Sequence, residues 1–278
     1  MHPRHLLERY AISPRRDLGQ NFLSDPGVLA HIVRLAAVTR DDLALEIGAG
    51  TGTLTRHLAE AAGRVIALET DDRLIPILRQ QTSDLSNVEV VHGDILDIDI
   101  GGLVGGAPYH AVGNLPYYIT SAILRRLLEI PPRPRRLTVT VQREVAERLV
   151  ARPGAMSLLS VSVQFYGRPE VCHRIKAGAF WPTPGVDSAV VCIDVYDAPP
   201  VPVEDERGFF QVVRAGFGQK RKQLKNALAS GLGIDAAAAV AALAQAHIQP
   251  DRRAETLSLD EWASLTRALS PHLPALKP

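Results

Sequence analysis

With 278 residues, 46% of them hydrophobic and 22% charged, the chain has enough apolar material for one large domain and a small one, which excludes a disordered or low-complexity protein. Only Cys172 and Cys192 are present, so a disulfide framework is excluded, and neither these nor the nine histidines fall at a paired metal-ligand spacing. The net charge of +1 hides an asymmetry: residues 207–278 carry ten Lys and Arg against five Asp and Glu, or +5, which leaves −4 for residues 1–206.

Met1 to Arg16 is rich in Arg and His and has no apolar core, so no secretory leader is expected. The most apolar stretch, Ala236 to Ala244, is too short to span a bilayer, and a reducing cytoplasm is the expected location. Ser13 to Gly19 reads as a loop, followed by Gln20-Asn21-Phe22-Leu23; taken alone, Gln20 and Asn21 are expected to face solvent. Asp25 and Pro26 supply an N-cap and a first helical position, and Val28, Leu29, Ile32, Val33 and Leu35 recur at helical spacing.

Leu43 to Ile47 is a short apolar strand with Glu46 embedded in it, followed by Gly48-Ala49-Gly50-Thr51-Gly52 and a helix carrying Leu54 and Leu58. Strand, glycine-rich turn and helix make the first half of a nucleotide-binding unit: glycines let the backbone approach a ligand, and a helix start offers unpaired N–H groups. A second strand, Arg64 to Leu68, delivers Glu69 where ribose hydroxyls need an acceptor. Thr53 stands where the dinucleotide fingerprint has its third glycine, which argues against a nicotinamide cofactor. Gly-x-Gly-x-Gly after an acidic residue resembles instead motif I of the S-adenosylmethionine-dependent methyltransferases. A third strand, Val88 to Val91, leads to Asp94, an acceptor for the adenine amino group of such a cofactor.

His110 to Gly113 is a fourth strand, which puts Asn114-Leu115-Pro116-Tyr117 at its carboxyl end, where ligands sit in open α/β sheets. The Asn114 side-chain oxygen and the Leu115 carbonyl can each accept one N–H of a planar amino group such as that of adenine. Pro116 pre-aims the Leu115 carbonyl, and Tyr117 offers an aromatic face for a base. The tetrapeptide by itself also fits a plain strand-to-helix turn.

Arg136 to Val141 is a fifth strand, followed by a helix over Glu144 to Val150. Leu158 to Phe165 and Ser188 to Val195 alternate as half-buried strands do and are expected to close the sheet as its antiparallel edge. Between them Phe180-Trp181-Pro182-Thr183-Pro184 is a stiff aromatic loop, either a hydrophobic plug or a second wall for a flipped-out base. Asp197 to Pro202 has linker composition. Beyond it the pattern is helical, with Phe209, Phe210, Val213 and Phe217 on an apolar face. Lys220, Arg221, Lys222 and Lys225 then form a basic run opposite Leu224 and Leu228, expected to contact RNA phosphates. Ser258 and Glu261 read as the capping box of the last helix.

Taken together, Gln20 to Leu23, Glu46 to Gly52, Asn114 to Tyr117, Val141 to Arg148, Phe180 to Ser188 and Phe217 to Lys222 resemble the ribosomal RNA adenine N6-dimethylases, above all the small-subunit branch. The resemblance implies a Rossmann-like class I methyltransferase domain with a mostly parallel seven-stranded sheet over residues 1–200, and a small all-α basic RNA-binding domain over 207–278. It implies S-adenosylmethionine as cofactor, with S-adenosylhomocysteine as product, at Asn21, Leu23, Gly48, Gly50, Glu69, Asp94 and Asn114, and no metal. It implies that Tyr117 and Phe180 hold the target base, beside Asn114, Leu115 and Pro116. Two adjacent adenosines in a 3′-terminal hairpin of small-subunit ribosomal RNA are the implied substrate, within a pre-ribosomal particle and acted on by a monomer without a membrane partner. Ala49, where proline is frequent, and Tyr118-Ile119-Thr120-Ser121, where Asn-Ile-Ser-Thr is commoner, are departures. The alternatives are a resistance-type large-subunit methylase and an assembly factor that kept the fold without catalysis.

Overall fold

The computed structural model describes residues 2–15, 17–219 and 221–273. Its strands are β1 (Phe22–Leu23), β2 (Leu43–Ile47), β3 (Arg64–Glu69), β4 (Val88–His92), β5 (Tyr109–Asn114), β6 (Arg136–Gln142), β7 (Gly167–Ile175), β8 (Phe180–Trp181) and β9 (Ser188–Val195). Seven of them form one sheet in the order β4-β3-β2-β5-β6-β9-β7, and β1 pairs with β8 as a short antiparallel ribbon. From β4 to β6 neighbouring strands are parallel, and β9 returns antiparallel beside β6. The expected mostly parallel seven-stranded sheet is what the chain builds.

All five residues of β2 and all but the first of β3 are buried, as continuous apolar strands must be when helices cover both faces of a sheet. The helix Pro26–Ala36 starts where the Asp25 carboxylate accepts the Val28 N–H at 3.0 Å, and its Leu29, Ile32 and Ala36 share a core with Val65, Val112 and Val190. Strand order reverses around β2, which has β3 on one side and β5 on the other. There a Cβ on Gly113 would lie 2.5 Å from the Ile47 carbonyl oxygen, so β5 closes onto β2 only as glycine. The registers set Ile47 beside Gly113, Glu69 beside His92 and Asn114 beside Thr140, which brings the ends of these strands to one edge of the sheet.

One expected strand is a helix. Leu158–Tyr166 is helical, opened by a reciprocal Ser157–Ser160 capping box, and the remaining edge strand is β7. The alternation of serine and valine carried no inside-outside signal, because Ser160 and Ser162 are as buried as Val161 and Val163. In β7, Arg168, Glu170 and Arg174 give the stretch the composition of a loop, so it carries no strand signal of its own.

The residues form two compact units. One runs up to Glu147 and includes Arg168–Val195; the other joins Arg148–Gly167 to the chain from Tyr196 onward. The division therefore differs from a single boundary near residue 200. Within the second unit aromatic packing recruits the 158–166 helix: Phe165 stacks on Phe209 at 4.7 Å and meets Phe210 edge-on at 5.1 Å. The Tyr166 hydroxyl donates to Glu206 at 3.0 Å. The helices Glu206–Phe217, Leu224–Leu232, Ala236–Gln245 and Leu259–Leu269 complete this unit, the last with the expected Ser258–Glu261 capping box. No helix among the described residues is long and apolar enough to cross a membrane.

Candidate active site

The carboxyl ends of β2, β3, β4 and β5 open onto two adjoining cavities in the first unit. The 18–23 segment, the glycine turn, Glu46, Glu69 and Asn114 to Tyr117 wall one of them. Asp94, Ile95, Tyr118, Ile119 and Ile123 wall the other, and Leu18, Gly48, Thr70 and Pro116 border both.

The glycine turn is shaped by its backbone. Gly48, Gly50 and Gly52 have φ of +72°, +58° and +82°, a region costly for side chains, and the Phe22 ring lies where a Gly50 Cβ would come within 3.1 Å of it. The turn aims the Gly50 N–H at Glu69 Oε2, 2.7 Å away, while the Thr70 and Asp71 N–H groups donate to Oε1 at 2.9 and 2.8 Å. Burial pushes the Glu69 carboxyl up and these three donors oppose it. Glu46 is 1% exposed, and burial pushes its carboxyl up to about 8, with Thr55 opposing and the Glu69 charge adding to the rise. Glu46 Oε2 and Thr55 Oγ1 are both buried without a hydrogen-bond partner.

Asn114 ends β5 with its amide held from one side. Its Nδ2 donates to the Asn21 carbonyl at 2.7 Å. A carbonyl can only accept, so the nitrogen must face Asn21, which settles the orientation of the amide. Oδ1 is left buried without a partner on a residue that lines the first cavity. The following loop is rigid: the Leu115 N–H donates to Thr140 O at 3.1 Å, and the Pro116 carbonyl is taken by Thr120 Oγ1 at 2.9 Å and by the Ile119 N–H. The Tyr117 hydroxyl is 2.8 Å from Ser188 Oγ, which pins the ring, and burial pushes its phenol pKa up.

Of the residues expected at the site, Asn21, Leu23, Gly48, Gly50, Glu69, Asn114, Leu115, Pro116 and Tyr117 line the first cavity and Asp94 the second. Phe180 lines neither: it is 2% exposed, paired with Leu23 across β1 and β8, and packed in the core that includes Leu29, Ile175 and Val190. Gln20 and Asn21 are half-buried at the cavity wall rather than turned to solvent: Gln20 Nε2 donates to Asp71 at 2.8 Å, and Asn21 Nδ2 donates to the Gly19 carbonyl of its own loop at 3.0 Å. Glu46 and Asp71 carried no assigned role in the sequence; an acid inside an apolar strand was the available signal for Glu46. In the second unit Arg221 and Lys222 are exposed in the turn before the Leu224–Leu232 helix rather than on its face, and Lys225 is half-buried. Lys220 lies outside the described residues.

The cavities fit S-adenosylmethionine. Asn114 Oδ1 is a buried acceptor lacking a donor beside the cavity, Glu46 adds a buried carboxyl oxygen without a partner, and the Glu69 carboxylate stands at the glycine turn for hydroxyls. The second cavity offers apolar walls from Ile95, Ile119 and Ile123 with Asp94 as an acceptor, which suits a purine.

Sheet order, glycine turn and strand-end acids define a class I S-adenosylmethionine-dependent methyltransferase. The sequence matches the Ribosomal RNA adenine dimethylase family over residues 12–270, and the chain belongs to that family. It is 44% identical over 263 residues, covering 94% of this chain and 90% of the relative, to a Ribosomal RNA small subunit methyltransferase A of Dehalococcoides mccartyi. A protein of the same description from Pelotomaculum thermopropionicum is 46% identical over 275 residues, covering 94% and 93%. Among solved structures, the 23S rRNA methyltransferase ErmE is 29% identical with a TM-score of 0.72, covering 90% of this chain and all of that one. A dimethyladenosine transferase from Plasmodium falciparum shares the fold, with a TM-score of 0.77 at 22% identity, covering 90% and 98%.

Proposed function

We propose that the chain methylates twice the N6 of each of two adjacent adenosines in a 3′-terminal hairpin of small-subunit ribosomal RNA, within a pre-ribosomal particle. The relatives named for the small subunit support that substrate over the large-subunit alternative, since their identity of 44 to 46% exceeds the 29% of the 23S enzyme. The observation that carries the chemistry is the buried, partnerless Asn114 Oδ1.

S-adenosylmethionine supplies a methyl group already activated on a sulfonium, so the protein has to position rather than generate an electrophile. Asn114 Oδ1 and the Leu115 carbonyl accept the two N–H bonds of the target amino group, orienting a nitrogen whose lone pair is otherwise delocalised into the purine. Tyr117, pinned by Ser188, presents its face to the base. Phe180, buried in β8 beside Leu23, supports the wall carrying that residue. After in-line transfer the nitrogen is strongly acidic and water takes its proton, so no general base is needed. The remaining N–H of the monomethylated base then uses one of the two acceptors.

Residues Arg221, Lys222 and Lys225, with Lys220, contact RNA phosphates. The test offers labelled S-adenosylmethionine and unmodified small subunits to the purified protein and locates the label by reverse-transcription arrest. Arrest at two neighbouring adenines near the 3′ end is expected. Label on large-subunit RNA alone would overturn the assignment, and binding without label would favour a non-catalytic assembly factor.

A further inference from the structure

Two consecutive tyrosines part company after β5: Tyr117 lines the first cavity, and Tyr118 lines the second with Asp94, Ile95, Ile119 and Ile123. The turn that carries them is held by its backbone, since the Pro116 carbonyl accepts both the Ile119 N–H at 3.3 Å and Thr120 Oγ1 at 2.9 Å.

Tyr118 is 58% exposed, the most exposed large apolar side chain among the described residues. Exposure by itself means little, because single apolar side chains are common on protein surfaces. The position of the ring is what matters. It lies against the turn at Gly19, where a Cβ would come 3.4 Å from Tyr118 Cδ1 and 3.8 Å from Cε1. Gly19, with φ of +60°, presents bare backbone there, and Leu18 before it borders both cavities. The ring therefore bridges the end of β5 and the Leu18–Gly19 turn at the rim of the second cavity.

An aromatic wall with one side still wet is a surface that a purine can cover, and such a contact strengthens binding roughly 5- to 150-fold per base. The cofactor's purine is favoured over an RNA base because the partnerless Asn114 Oδ1 and the pinned Tyr117 belong to the first cavity, which Tyr118 does not line.

We propose that Tyr118 is a cofactor-binding residue, whose ring forms the outer wall of the second cavity and packs on the purine of S-adenosylmethionine. The inference rests on the reading that this cavity takes the purine. Asparagine, commoner at this position in the sequences that the chain resembles, offers no such wall, so the contact belongs to this chain rather than to the shared motif.

Calorimetric titration of the purified protein tests it with two ligands: S-adenosylhomocysteine, and 5′-methylthioadenosine, which carries the purine without the amino-acid end. Tyr118→Asn is expected to weaken both about 10-fold, and Tyr118→Phe, which keeps the ring, to stay within about threefold of wild type. Affinity for small subunits should not change in either variant. Asp94→Ala, measured in parallel, should also weaken both ligands. Wild-type affinity in Tyr118→Asn beside a loss in Asp94→Ala would overturn the proposal and leave the purine in its cavity. No loss in either variant would overturn the placement of the purine, and the proposal with it. A loss confined to S-adenosylhomocysteine would put the ring at the amino-acid end, and weaker small-subunit binding with unchanged ligand affinity would make Tyr118 an RNA contact; each of these also overturns the proposal.

Discussion

Asn114 joins two requirements that conflict in water: an acceptor held in place and an acceptor left unpaired. The Asn21 carbonyl satisfies the amide nitrogen and leaves the oxygen buried and partnerless, as the proposed contact with the substrate amino group needs. Replacing Asn114 with alanine is expected to lower the transfer rate about 10²- to 10³-fold, the scale for removing one preorganised polar contact at a reacting centre. RNA affinity should change little, because the basic run is untouched; filter binding alongside single-turnover kinetics checks this. An equal loss of both would remove Asn114 from the chemistry.

Glu46 makes a second prediction at this scale. Its folded pKa of about 8 lies above the ordinary 4.5, so between those values the native state keeps a proton that the unfolded chain has released. Stability contributed here is full below about pH 4.5 and falls as pH rises through the window, by at most roughly 1.4 kcal/mol per unit. Glu46→Gln should therefore melt higher than wild type at pH 8, with the gap closing toward pH 4.5. Thermal unfolding in the absence of cofactor across that range tests it, and a gap independent of pH would contradict it.

At the scale of elements, the site depends on how tightly β5 lies against β2. Gly113→Ala places a methyl 2.5 Å from the Ile47 carbonyl oxygen, and neither strand can yield without breaking the ladder that carries Asn114. The expected cost is about 2–3 kcal/mol, seen as a lower denaturant midpoint, with loss of cofactor binding. Most elements were legible in the sequence because their signals were local: Asp25-Pro26 opened a helix, β2 ended at Ile47 as expected, and β3 and β5 ran one residue past their expected ends, to Glu69 and Asn114. Leu158 to Phe165 was not, since burial on all sides removes the contrast that distinguishes a period of two from one of 3.6. The aromatic contacts of Phe165 with Phe209 and Phe210, more than forty residues on, set where that helix packs.

For the whole molecule, the asymmetry of charge has a measurable consequence. Arg221 and Lys222 are exposed in the turn between two helices of the second unit. Replacing Arg221, Lys222 and Lys225 with glutamine should weaken RNA binding and flatten the slope of log affinity against log salt by about 2, at roughly 0.7 or more per phosphate contact. Titration at several salt concentrations reads this directly, and an unchanged slope would take the basic run out of the interface.

The order of residues determined the family, the cofactor class and the strand-end residues Glu69, Asp94 and Asn114, because glycine turns and strand ends are written in consecutive positions. Tertiary structure alone decided which polar groups meet. Gln20 with Asp71, Asn21 with Asn114 and Tyr117 with Ser188 are separated by 51, 93 and 71 positions. Contacts at such separations are chosen by the packing of the sheet, and no local pattern records them. For the same reason Phe180, legible as an aromatic in a stiff loop, became a core residue once β8 paired with β1 and set it beside Leu23.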